Sequence, residues 1–417
     1  MEAPRTTEIA VIGAGAIGAS AALQLALAGH EVLLLDRGEV GRGASAGTAC
    51  LITPSHAERL ANPSNLKEGI RFLPDPAGPL AIRPHLGLVP WMARFTAAAV
   101  RGGAAHDGTQ LLRRASVESL ELHRQWAEAH DTGLVQEGVL NVWTSEDGDE
   151  HRQRWAEDHR ASGIELQLLD AQEVQELEPL VLGARYGSLY PGDAHVDSLG
   201  FVQAVARAAE AAGATVATGV DTIRVVPGRG DVRLDTTSGP IVARQVVIAA
   251  GVWSEKLARD VGVRLPMWPA KGYHVEYAGI PAPRRPVFLG ESRVVATPLE
   301  GRVRLAGTLE FGGDPDAVDY RRVDAITRAG VERLRGIAGA TPSAVWRGPR
   351  PVTADGMPMV GRAPAHDNVV IAAGHAMLGI TMAPVTAVWV EQLVRGEDLD
   401  AELEPLAPGR FHGLPRR

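Results

Sequence analysis

Residues Glu8-Ile9-Ala10-Val11-Ile12-Gly13-Ala14-Gly15-Ala16-Ile17-Gly18 decide the fold. A short apolar, β-branched run meets a glycine cluster, and an Ala/Leu-rich helical pattern follows from Ala19 to Ala28. A second apolar run, Glu31-Val32-Leu33-Leu34-Leu35, ends in Asp36 and Arg37. Strand, glycine turn, helix, strand and acid together make the G-x-G-x-x-G dinucleotide fingerprint in its full context. In that motif Gly13 makes the tight turn, Gly15 lets the backbone approach a pyrophosphate, and Gly18 lets the helix pack on the strand. The first helical residues, Ala16 and Ile17, then offer free N–H groups and a positive dipole end to the phosphates. Asp36 accepts the ribose hydroxyls, and a carboxylate there disfavours a 2′-phosphate. The chain is expected to bind a dinucleotide.

At 417 residues the chain is long for one core, so two domains are expected. No uncharged apolar run approaches the ~20 residues of a membrane span. Residues 1–8 carry charge and no apolar stretch, which does not read as a secretory signal. The single cysteine, Cys50, leaves no partner for an internal disulfide and no Cys-based zinc or iron–sulfur site. No histidine pair has the H-E-x-x-H spacing, and no metal is expected. A net charge of −8 argues against nucleic acid, which is held mostly by clustered Lys and Arg. These bounds describe a cytoplasmic enzyme; peripheral contact with the inner membrane stays open.

After Asp36 comes a small-residue loop, Gly41 to Cys50, in which Gly43, Ala44, Ser45, Gly47, Thr48 and Ala49 can lay backbone along an extended cofactor. Residues 107–130 read as a long amphipathic helix, and 138–143 as a strand. Asp197-Ser198 precedes a helix over Leu199–Ala212, with Gly213 just past its end. A strand over Thr215–Val220 brings Val220 to the cofactor side. Val232–Leu234 and Ile241–Ala243 read as a β-meander, and Gln245–Gly251 as a separate buried strand whose end offers Ala250, Gly251 and Trp253. Residues 273–311 are strand-rich, and Val323–Ile337 is helical. The chain closes with a strand over Val369–Ala373, a loop over Gly374–Gly379 and a helix over Ile380–Arg395. The expected class is α/β with an α+β substrate part: a doubly wound, Rossmann-like cofactor domain interleaved with a mixed-sheet substrate domain. The expected cofactor segments are 1–135, 196–265 and 342–417; the substrate segments are 136–195 and 266–341. A carboxyl-terminal return to the first domain suits a permanently held flavin. Gly379-Ile380-Thr381 at a helix start could bind the flavin oxygen that gains charge on reduction.

These segments resemble the D-amino-acid-oxidase-like FAD oxidoreductases, especially the bacterial D-amino acid dehydrogenases and glycine oxidase. The matching stretches are the fingerprint, Ser45–Pro54, Val247–Ser254, Lys271-Gly272-Tyr273, Trp346-Arg347-Gly348-Pro349-Arg350-Pro351 through Gly361, and Ala373-Gly374-His375 through Ala383. The resemblance covers essentially the whole chain. It implies FAD, an amino-acid substrate, and hydride transfer from the α-carbon to flavin N5. Arg350 would then grip the carboxylate with a bidentate pair, which lysine cannot supply. Tyr273 would add a hydroxyl at the same pocket or serve as a core residue, and His375 would touch flavin or substrate or be structural. Gly348, Arg350, Gly374, His375, Leu378, Gly379, Ile380 and Thr381 would line the flavin. Members with covalent flavin carry a cysteine near Pro351–Asp355; none is present, so the FAD should be noncovalent. Pro349 stands where relatives more often have leucine, and the Ser55-His56 stretch departs from the dehydrogenases, so a pocket-lining His56 would alter specificity. The expected substrate is a small D-amino acid or a cyclic imino acid such as D-proline or hydroxyproline. The alternatives are a glycine- or sarcosine-type oxidase, a flavin-bearing electron-transfer subunit of a hetero-oligomer, and a nicotinamide-dependent hydroxy-acid dehydrogenase. Whether oxygen, a quinone or a partner subunit takes the electrons stays open.

Overall fold

A computed structural model describes residues 4–72, 75, 78–314 and 316–411. The opening motif forms β1 (Thr6–Ile12), α1 (Ala16–Leu27) and β2 (Val32–Asp36). β1 pairs in parallel with β2 on one side and with the strand Gly239–Ile248 on the other. Thr215–Thr218 extends the parallel set beyond β2, and His366–Ala373 joins Gly239–Ile248. An antiparallel meander, Thr222–Pro227 and Val232–Thr236, forms one margin.

The parallel strands read as continuous apolar runs because both faces are covered. Ile9 and Val11 of β1 pack into the layer made by α1, Ser198–Ala211 and Ala383–Val394. Ala10 and Ile12 face the other way, toward Leu257, Val261 and the apolar side of the meander. Each face therefore has its own core.

The second sheet runs in the order Ala344–Thr353, Met267–Ala278, Arg302–Phe311, Val294–Leu299, Val287–Leu289, Val139–Trp143, Tyr186–Tyr190 and Gln167–Asp170. The helix Tyr320–Arg333 packs on one face of it, against Tyr273, Val275, Tyr277 and Leu305. The opposite face looks onto the small-residue loop after β2. There Arg304 donates to the carbonyls of Ala46 and Thr48 at 3.1 and 3.0 Å, and Thr297 Oγ1 donates to Ala49 at 2.7 Å.

Five elements differ from what the sequence suggests. The second meander strand and the buried strand after it are one continuous strand, Gly239–Ile248; along the edge away from β1 its first half pairs antiparallel and its second half parallel. The carboxyl-terminal helix starts at Ala383 rather than Ile380, because Gly374–Met382 is spent in turns. The helix before it spans Tyr320–Arg333, started by an Asp319 side-chain cap. Ala344–Thr353, together with the short strand Leu80–Ile82, belongs to the second sheet although both lie within segments read from sequence as cofactor domain.

Candidate active site

Because five strands of the first sheet are parallel, their carboxyl ends share one edge. β1 ends at Gly13, β2 at Arg37, Thr215–Thr218 just before Val220, Gly239–Ile248 before Ala250 and His366–Ala373 at Gly374. Segments far apart in sequence thus meet at the crevice where α/β sheets take ligands.

The glycines there are fixed by space. Gly13 has φ +105°, and a Cβ on it would lie 2.6 Å from the Ala249 carbonyl oxygen. A Cβ on Gly18 would come 1.8 Å from the Gly13 oxygen, inside any contact limit. Gly15 meets only Ser45 Oγ at 3.3 Å, which leaves the mouth of the turn open. Ser45 Oγ accepts from the N–H of Ala16 at the start of α1 (3.0 Å). Asp36 accepts from the N–H of Ala14 (2.7 Å) with one oxygen and from that of Gly38 (2.8 Å) with the other. Each oxygen keeps a lone pair for a further donor. Val220 N–H donates to the Asp36 carbonyl at 2.9 Å, and the Arg37 guanidinium stacks 3.9 Å from the Trp253 ring centre.

On the carboxyl-terminal side, Thr381 Oγ1 accepts from Thr53 N–H and reaches the Leu51 carbonyl. The backbone N–H groups of Gly379, Ile380 and Thr381 donate to no acceptor among the described residues. His375 is buried, its Nε2 3.0 Å from Thr386 Oγ1, and burial pushes its pKa down to about 3, so the ring is neutral.

The second sheet supplies the opposite wall. In an antiparallel pair, residues directly opposite share a face. Arg350 lies opposite Ala270, Gly348 opposite Gly272 and Trp346 opposite His274. The Arg350 side chain lies over Gly272, where a Cβ would come 2.1 Å from Nη1. Nη1 donates to the Thr308 carbonyl at 2.8 Å. Thr308 itself has φ +66°, at a register shift in the pairing with Lys271–Tyr273. Among the described residues no carboxylate pairs with Arg350, and desolvation lowers its pKa to about 10. Trp346 stacks on His274 at 5.3 Å and 15° and packs against Gly47 and Gly348, where Cβ atoms would come 2.0 and 2.2 Å from its ring.

Tyr273 does not join this pocket. It lies an odd number of residues from Ala270 and points to the other face, where its hydroxyl donates to the buried Glu310 at 2.6 Å. Lys271 Nζ and Arg83 Nε lie 3.4 and 2.9 Å from the same carboxylate, so the hydroxyl closes a core charge network. The residue of that stretch facing Arg350's side is His274.

His56 does reach the wall. Its ring sits 5.3 Å from Phe288, whose strand lies on Arg350's face of the sheet through Val295, Ala306 and His274. Around it stand Asn141, Trp155, Tyr190 and Asp193. Ser55, Asn141, Asp193, His274 and Arg304 also stand on or against this wall, and nothing in the sequence alone places them there. For most of them the signal is strand alternation, which reveals a face only once the register is known.

Residues 8–393 match the FAD dependent oxidoreductase (DAO) family. The chain belongs to that family. It is 32% identical to a D-amino acid dehydrogenase of Cereibacter sphaeroides, over 98% of this chain and 96% of that one. It is 29% identical to a D-amino-acid oxidase of Bradyrhizobium diazoefficiens, over 98% of this chain and all of the other. The crystal structure of glycine oxidase from Geobacillus kaustophilus superposes with a TM-score of 0.76 at 27% identity, covering 98% of this chain and 99% of that one. FAD is the cofactor of this oxidoreductase. The open mouth at Gly15, the half-used Asp36 carboxylate and the undonated amides at 379–381 fit such a group. Among the described residues no helix is long and apolar enough to cross a membrane.

Proposed function

We propose that this oxidoreductase is an amino-acid dehydrogenase or oxidase that removes hydride from the α-carbon of a small D-amino acid or cyclic imino acid. The observation that carries the reading is Arg350, a desolvated guanidinium on the wall facing the flavin loop, with no carboxylate of its own among the described residues. A substrate carboxylate meets it as a two-point, charge-assisted pair. FAD, held noncovalently by the strand-end crevice, supplies the hydride acceptor when bound. The protein's share is placement: Arg350 fixes one end of the substrate, Thr308 fixes Arg350, and the Phe288 side of the wall excludes water. His375, neutral and engaged with Thr386, serves as a support for the loop over residues 374–382. The likeness to glycine oxidase makes glycine and sarcosine the second substrate class to test.

The test is anaerobic bleaching of the bound flavin by D-amino acids, hydroxyproline isomers, glycine, sarcosine and L-amino acids. Rapid bleaching by D-amino or cyclic imino acids is expected, and readmitted air then separates oxidase from dehydrogenase. Bleaching by glycine and sarcosine alone would move the assignment to the second class. A flavin-loaded protein that no amine bleaches would overturn the reading.

A further inference from the structure

The wall that carries Arg350 also carries a buried acid with no cation. Asp193 is 2% exposed, and no Arg or Lys among the described residues pairs with it. Its partners are the N–H of Ser55 at 3.3 Å and the Ser55 hydroxyl in a short contact. Ser55 Oγ lies 2.7 Å from His56 Nδ1, and His56 Nε2 lies 3.2 Å from Asn141 Nδ2. The order of donors follows. Ser55 O–H donates to Asp193, so the Ser55 oxygen accepts Nδ1–H of His56, and Nε2 keeps its lone pair. The Asn141 amide donates weakly to that lone pair, and its own Oδ1 is buried without a partner.

Arg350 and the His56 cluster stand on the same face of the second sheet. Arg350 reaches the carbonyl on the strand Arg302–Phe311, and Phe288, against which His56 sits, is two strands further along. Two strand spacings are roughly 10 Å. That accommodates a carboxylate and an ammonium with a hydrogen bond at each end.

We propose that His56, Ser55 and Asp193 form a relay that takes the proton from the substrate's ammonium group before the α-carbon is oxidised. This rests on the amino-acid reading above. The ammonium takes the place of the Asn141 amide at Nε2, and its N–H bond breaks as Nε2–H forms on His56. Nδ1–H passes to Ser55 Oγ, and the Ser55 hydroxyl proton passes to Asp193. The sum is a neutral amine and a neutral carboxylic acid, with no change of oxidation state. Only a neutral amine has the lone pair that assists loss of hydride from its carbon. His56 is the catalytic residue; Ser55 and Asp193 act through it.

The surroundings favour a neutral His56 ring next to an acid poised to take a proton. Burial holds the His56 imidazole down to about 3 and raises the Asp193 carboxyl to about 7, close to the working range of a proton acceptor. The other charges facing the cluster are already matched. Arg113 pairs with Glu58 and Asp158, and Arg293 pairs with Glu68. His159 gives Nε2 to the Ser55 carbonyl at 2.6 Å, has Nδ1 3.3 Å from the Tyr190 hydroxyl, and is held down to about 4 by burial.

Two measurements test the relay on the FAD-loaded protein. In the first, the rate of anaerobic flavin reduction is followed against pH for the wild type, Ser55→Ala and Asp193→Asn. The wild-type rate should rise through an apparent pKa near neutrality. Both variants should move that rise toward the alkaline range of a free amine, lose at least about tenfold at pH 7, and recover at high pH. A purely structural role would lower the rate at every pH. In the second, 2-aminoisobutyrate, which has no α-hydrogen, is bound while infrared difference spectra are taken. A protonated-carboxyl band should appear in the wild type and vanish in Asp193→Asn. Unchanged pH profiles together with no such band would overturn the relay while leaving the amino-acid assignment intact. Failure of every amine to reduce the flavin would remove the assignment itself.

Discussion

The two walls of the crevice are made of different material. The first-sheet wall is built of backbone: glycines with no room for a Cβ, amide groups at turns, and strand ends aligned by parallel pairing. The second-sheet wall is built of side chains held out from an antiparallel face: Arg350, Trp346, His274, Phe288 and Asn141. The contrast teaches where each kind of error does harm. A backbone wall fails when anything is added to it, and a side-chain wall fails when something is taken away or turned over.

The largest expected effect is on the backbone wall. Gly18→Val pushes a side chain into the Gly13 carbonyl, so the variant should lose bound flavin and much of its folded yield, read by flavin absorbance and circular dichroism. A Gly18→Val protein with normal flavin content would break the contrast. Next comes Arg350→Lys. The fork is lost while the charge stays, and kcat/KM should fall by about 2–5 kcal/mol, carried mostly in KM, with flavin content unchanged. Equal loss of flavin would move Arg350 from the substrate to the cofactor.

Acid should act more broadly. His56, His123, His159, His195, His274 and His375 are held by burial down to about 3 or 4. Their unfolded forms bind a proton below about 6.5 while the folded forms do not, so stability is full above that pH and falls as pH drops toward 4. Asp193, raised to about 7, works in the opposite sense over the same window, as do Glu58 and Glu178, whose carboxyls burial also raises; these three stand against six rings. Thermal scans should show a Tm lower by at least roughly 5 °C at pH 5 than at pH 7.5. A flat profile would mean these rings are wetter than their burial. Smallest of all is Tyr273→Phe. It should cost about 1 kcal/mol of stability through the lost bond to Glu310 and leave KM within about twofold. A large rise in KM would put Tyr273 back beside the substrate.

The same contrast explains what the chain's order of residues could reveal. Gly13, Gly15, Gly18 and Asp36 were legible because each is required by a local backbone shape, and local shape is written in adjacent residues. Arg350 was legible from its motif. Tyr273 stays open between pocket and core in the sequence because a strand's two faces differ by one residue, and the register shift at Thr308 lies on a neighbouring strand. Asp193 and Ser55 were missed because a chain of hydrogen bonds joining residues 55, 56 and 193 exists only after folding. The separate strands read over Ile241–Ala243 and Gln245–Gly251 merge because nothing local breaks the chain between them; only the change of partner divides them.

That merged strand, Gly239–Ile248, draws its partners from both ends of the chain. It pairs with residues of β1 near the start and with Val369, Val370 and Ile371 close to the finish. During synthesis the first partner waits for the strand to emerge, and the strand then waits for the last one, with Val246–Ile248 presenting an open edge meanwhile. The cofactor crevice is therefore completed only after the second sheet, and a chain cut short before residue 366 would have the strands of that sheet but no finished place to hold FAD.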